Sequence, residues 1–157
     1  AGLPDLDGDG AGEVAVSAPH QGTGDEPWLP GEVFIFSGAS GSLLHRWRGR
    51  RDGELYGRMV TSAGDIDGDG TGDVAVGVPW SRNGDRERAG RVELRSGRTG
   101  EVLEVLEGER PELWLGWHIE RGEDLGPERR RGLVVSTIRS EENGLPAAGA
   151  IRVYVLR

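Results

Sequence analysis

The chain has 157 residues, a formal net charge of −8 and a sequence pI near 4.9. That acidity excludes a nucleic-acid-binding domain, which needs a basic face to neutralise phosphates, and no apolar run approaches the roughly 18 residues of a membrane span. With no cysteine there is no disulfide framework, and 28 glycines point to many tight turns and an all-β architecture.

Taken in chain order, the predicted elements repeat. Residues 5–19 read DLDGDGAGEVAVSAP and residues 65–79 read DIDGDGTGDVAVGVP, identical at ten of fifteen positions. Strand Val14–Ser17 follows the first acidic turn. A polar loop leads to the alternating strand Val33–Ser37, and a glycine turn leads to Ser42–Trp47. The second unit supplies Tyr56–Ser62, Val74–Gly77, Val92–Ser96 and Glu101–Leu106. The third supplies Leu115–Arg121, Leu133–Thr137 and Ile151–Leu156. Gly31, Gly90 and Gly149 open equivalent strands 59 residues apart. Short alternating segments bounded by Gly, Pro, Asp and Ser read as antiparallel strands. Four strands per unit at a fixed period is the pattern of propeller blades. The predicted units are residues 1–49, 50–108 and 109–157, together one segment of about ten strands, too few to close a ring.

The acidic turns carry the chemistry. Eight of the 27 acidic residues fall in two nine-residue windows. Calcium takes six to eight oxygens, with carboxylates at alternate loop positions. Asp65, Asp67, Asp69 and Asp73 stand at positions 1, 3, 5 and 9, with the Thr71 carbonyl at position 7. Asp5, Asp7, Asp9, the Ala11 carbonyl and Glu13 repeat the set. An EF-hand needs a bidentate Glu at position 12 and a following helix; here Val16 and Val76 stand there, inside strands. Two Ca²⁺ sites are expected. The third loop keeps Asp124 but has Gly126, Glu128, Arg130 and Gly132 at the other ligand positions. Arg129–Arg131 fall within it, so either a guanidinium takes over the structural role of the ion or the arginines are solvated.

On these residues the chain resembles the FG-GAP repeat family, the calcium-binding β-propellers at the head of integrin α subunits. Tyr56-Gly57 stands for the family's Phe-Gly. Leu115-Gly116 is a weaker version, and Ser17-Ala18-Pro19 and Gly77-Val78-Pro79 stand for Gly-Ala-Pro. The resemblance implies antiparallel blades of a β-propeller used in adhesion and recognition, commonly seven-bladed. The present chain would be an incomplete ring of about two and a half blades and a fragment of a larger protein. It also implies that the calcium loops lie on one face. The loops after Pro19 and Pro79 would lie on the other, presenting Trp28, Trp80, Arg50, Arg51, Arg82 and Arg110 to a protein or glycan ligand.

Nothing points to catalysis. His20, His45 and His118 have no metal-ligand spacing, and a packing role is expected for His118. No nucleophile elbow, HExxH or phosphate loop occurs. Trp47, Trp114 and Trp117 are expected to pack between blades. The function expected is a calcium-stabilised recognition module outside the cytoplasm: extracellular, at a cell surface or periplasmic. The alternatives are a non-catalytic propeller of a secreted hydrolase and a lectin-like propeller. All 19 basic residues are arginine, which suggests a GC-rich, bacterial source.

Overall fold

The computed structural model describes residues 1–19, 29–125, 130–139 and 149–155. Among these residues there is no helix, and the β-branched segments form antiparallel sheets. The first sheet contains β1 (Val14–Ala18), β2 (Glu32–Phe36) and β3 (Leu43–Arg48). The second contains β4 (Met59–Gly64), β5 (Asp73–Val78), β6 (Arg91–Arg95) and β7 (Val102–Glu107), in that spatial order. The third contains β8 (Ile119–Leu125), β9 (Arg130–Thr137) and β10 (Ala150–Val155). Residues 1–3 run beside β1, where Gly2 bridges Val14 and the Leu3 amide donates to the Glu13 carbonyl.

β4 and β8 begin later in the chain than their apolar patterns suggest. Tyr56 and Gly57 precede β4 in a turn, with Leu55 and Gly57 both in the left-handed region (φ 60° and 78°). Gly57 cannot carry a side chain here. A Cβ at that position would stand 2.6 Å from Val33 Cγ2 of the first sheet.

Alternation on the strands decides how the sheets stack. In β5, Val74, Val76 and Val78 face the first sheet and pack with Ala15, Val33, Ile35 and Trp47, with Tyr56 in the same cluster. Ala75, on the opposite face, joins Val92 and Leu94 against Ile119, Leu133 and Val135 of the third sheet. Both faces of β5 are therefore covered, and all six of its residues are buried. The end sheets lack a neighbour on one side. Val14 and Val16, equivalent to Val74 and Val76, are 49% and 47% exposed. Ile151 and Val153, equivalent to Val92 and Leu94, are 72% and 54% exposed. The three sheets are stacked units of an open array, an incomplete set of propeller blades.

Charge is buried at the first junction. Arg91 makes a bidentate pair with Glu54 (2.9 and 3.1 Å) and donates to Glu93 at 3.0 Å. Arg95 donates to Glu93 at 2.8 Å and lies over the Trp47 ring. Burial alone would raise the Glu93 pKa. Arg91 and Arg95 outweigh it and hold the carboxyl below its ordinary range.

Candidate metal centres

Both acidic windows coil immediately before a strand, the first before β1 and the second before β5. Glycines make the coil possible: Gly8, Gly10, Gly68 and Gly70 all have φ between 79° and 88°, a region closed to most side chains. Asp5 ties its loop together, accepting from the Gly8 and Gly10 amides at 2.7 and 2.9 Å. Asp65 does the same for Gly68 and Gly70 at 2.8 and 3.0 Å. Asp7 and Asp9 accept from amides two residues on, as do Asp67 and Asp69. These turns leave the carboxylates crowded on one side of the loop.

In the first loop Asp5, Asp7, Asp9 and Glu13 each bring an oxygen within 4.8 Å of the others. Glu13 is 1% exposed. Its Oε2 accepts from the Leu6 amide at 2.7 Å, while its buried Oε1 has no hydrogen-bond partner. Burial raises the Glu13 pKa. The Leu6 bond opposes the rise, and Asp7, Asp5 and Asp9 add to it. A buried carboxylate that has one unpartnered oxygen and is grouped with three further carboxylates is costly unless a cation joins it. The all-oxygen donor set fits a hard divalent cation such as calcium.

The second loop differs. Asp65, Asp67 and Asp73 converge within 4.8 Å. Asp73 is buried and satisfied, accepting from Ile66 at 2.7 Å and Gly97 at 3.1 Å. Desolvation raises its pKa. Gly97 reaches it because a Cβ there would meet the Gly72 carbonyl oxygen at 1.9 Å, and the pair Gly38 and Gly12 repeats this approach behind the first loop at 2.0 Å. The Asp69 carboxylate stands outside the converging group. Arg98 donates to its Oδ2 at 2.7 Å and to its backbone carbonyl at 2.6 Å. The corresponding Asp9 Oδ2 instead accepts from the Ser37 hydroxyl at 3.0 Å. Thr71 is buried and its amide donates to Asp69 Oδ1. Ala11 occupies the same place in the first loop, its amide donating to Asp9. The third loop's residues 126–129 and the side chains beside them lie outside the described residues, as do His20 and Trp28.

Trp80 is half-buried and part of a cluster. Its ring meets Trp114 edge-on at 5.6 Å, and Trp114 meets Trp117 at 5.4 Å. Arg88, Arg139 and Arg58 lie over Trp80, Trp114 and Trp117 at 5.3, 5.4 and 4.6 Å. Arg88, Glu112 and Trp114 all adopt left-handed backbone (φ 45°, 56° and 56°), where side chains are strained. Among the arginines expected beside Trp80, Arg82 pairs with Glu87. Arg50 reaches back to the buried Glu93 at 3.3 Å. Trp47 is buried between the first two sheets, as expected. His118 departs from its expected packing role: alternation on β8 turns Ile119 inward and leaves His118 exposed beside Glu120. His45 Nε2 donates to the Gly97 carbonyl at 2.7 Å and stacks on Trp47, joining the first two sheets.

Sequence reasoning missed Arg98 and the Glu54–Arg91–Glu93 network. Arg98 could have been found by register, since Ala39 stands at its place in the first unit. The network could not, because Glu54 stands 37 residues from the Arg91 that it pairs with.

The profile of the FG-GAP repeat matches residues 59–92, from the start of β4 into β6. Integrin alpha-4 of Xenopus laevis is 35% identical over 85 residues, 50% of this chain and 8% of that protein. Integrin alpha-PS5 of Drosophila melanogaster is 35% identical over 83 residues, 51% of this chain and 8% of that protein. Integrin alpha-6 of Gallus gallus is 28% identical over 148 residues, 85% of this chain and 13% of that protein. The chain thus spans a small part of these relatives. With the repeated acidic hairpins and the antiparallel sheets, these matches show an FG-GAP repeat at residues 59–92 in a chain that is similar to integrin alpha subunits and consistent with a partial propeller.

Proposed function

We propose that the chain is a calcium-stabilised, non-catalytic recognition module that works outside the cytoplasm, with its ions structural. The observation that carries this reading is the buried Glu13 Oε1, unpartnered beside Asp5, Asp7 and Asp9. In the first loop Asp5, Asp7, Asp9, Glu13 and the Ala11 carbonyl would hold one Ca²⁺. In the second, Asp65, Asp67, Asp69, Asp73 and the Thr71 carbonyl would hold another. A bound divalent ion would turn the repulsion within each loop into attraction and fix the hairpin leading into β1 or β5. The repeat units are residues 1–49, 50–108 and 109–157. Affinity on the order of 10⁻⁴–10⁻³ M would suit an exterior rich in calcium.

Recognition is assigned to the loop after Pro79 and the connection between β7 and β8, where Trp80, Trp114 and Trp117 carry three arginines. Tryptophan and arginine are enriched among residues that dominate binding energy, and strained backbone clusters at functional surfaces. A protein ligand is favoured by the integrin alpha relatives. Trp28 is included on sequence grounds. Calcium titration followed by calorimetry and thermal unfolding tests the module: two equivalents should bind and raise Tm. Absence of binding at millimolar calcium would remove the reading.

A further inference from the structure

The two acidic loops are near copies, yet a different partner holds the fifth-position carboxylate in each. Asp9 is held by a neutral hydroxyl, Ser37, and stays within the converging set. Asp69 is held by a cation. The Arg98 guanidinium grips its Oδ2 and its backbone carbonyl, and the second converging set lacks Asp69. Position 98 corresponds to Ala39 in the first unit, so the first loop has no counterpart of this side chain. The second loop also lacks the first loop's incentive to take an ion. Glu13 has a buried oxygen without a partner, whereas both oxygens of Asp73 accept backbone amides.

We propose that Arg98 is a tethered cation that competes with calcium for Asp69, so that the two loops fill in order, the first before the second. The proposal rests on the calcium reading of the loops. A guanidinium seated on a carboxylate offsets the charge that would attract an ion, and its own charge repels one nearby. Calcium reaches the full second ligand set only when Arg98 lets go. There is room for the release. Arg98 lines a cleft of about 390 Å³ between the two loops, with Asp7, Leu44, His45 and Thr71 among its other walls. The side chain is already 57% exposed, so its movement disturbs no core packing. Arg98 is thus a positioning residue that grades the two sites, allowing one loop to stay loaded while the other responds to the surrounding calcium concentration.

Site-resolved amide NMR during calcium titration tests this. The Gly10 and Gly70 amides, which donate to Asp5 and Asp65, report the first and second loops. In the unmodified chain the Gly10 signal should reach its midpoint at lower calcium than Gly70. Arg98→Ala should move the Gly70 midpoint about tenfold lower and leave Gly10 in place. Arg98→Lys, which keeps the charge, should lie nearer the unmodified chain. Ala39→Arg should shift the Gly10 midpoint upward. Coincident midpoints in the unmodified chain, or a Gly70 midpoint unmoved by Arg98→Ala in a folded variant, would overturn the proposal and leave the calcium reading intact. If neither glycine responds, the calcium reading falls and the proposal falls with it.

Discussion

The Tyr56 hydroxyl donates to Glu93 Oε2 at 3.2 Å at the junction of the first and second sheets, in a buried contact between residues 37 positions apart. Tyr56 is the aromatic of the repeat's aromatic-glycine pair. Desolvation and the neighbouring Glu93 charge raise its pKa, so it remains a neutral donor. Glu93 collects Tyr56, Arg91 and Arg95, and Arg91 carries the chain of pairs on to Glu54. The junction is thereby specified by charge as well as by apolar burial.

Glu93→Gln should destabilise the chain by about 3 kcal/mol at neutral pH, because it leaves the buried Arg91 and the half-buried Arg95 short of a counter-charge. The sign of the pH dependence follows from the folded pKa lying below the ordinary 4.5. The ionised pair contributes fully above that value and is lost as pH falls through the folded one. Urea denaturation of both proteins should show the gap narrowing as acidity increases below pH 4.5. A gap constant across that range would mean Glu93 acts through packing.

Asp7→Ala should lower Tm when calcium is present and change it little in EDTA. An ion held only by the folded chain stabilises by about 2.7 kcal/mol at a hundredfold excess over Kd. Differential scanning calorimetry in the two conditions checks this, and equal losses would place Asp7 in the apo fold instead.

Gly97→Ala should cost about 1–3 kcal/mol or more. The new methyl would press on the Gly72 carbonyl and push the Gly97 amide away from Asp73. Chemical denaturation measures the loss. Gly38→Ala should behave alike, since it repeats the contact with Gly12. Unchanged stability in both variants would show that the hairpins yield easily.

Trp80→Ala should weaken binding of a verified partner by about 2 kcal/mol if the tryptophan-arginine cluster is its contact surface, with calcium occupancy unchanged. Surface plasmon resonance alongside calorimetric ion counting separates the two effects. Normal binding by Trp80→Ala and Trp114→Ala, both folded, would place recognition elsewhere.

The repeat, the strand alternation and the oxygen-rich turns were all legible in the amino-acid sequence, because each depends on residues close together in the chain. Val74, Ala75 and Val76 alternate whatever lies beside them, and Asp65 must accept from Gly68 and Gly70 once the loop coils. What lies on a neighbouring strand or sheet is decided only when the strands pair and the sheets stack. Tertiary structure placed Arg98 on Asp69 and closed Glu54, Arg91 and Glu93 into one network. It also turned His118 outward and gathered Trp80, Trp114 and Trp117. The physical reason is range: a strand or a calcium-type loop is set by neighbours within about ten residues, whereas these contacts join segments whose meeting depends on the packing of whole sheets. The same dependence makes the two acidic loops look alike in sequence and differ in structure. Glu13 keeps a bare buried oxygen, while Asp73 meets the Gly97 amide brought to it from the end of β6.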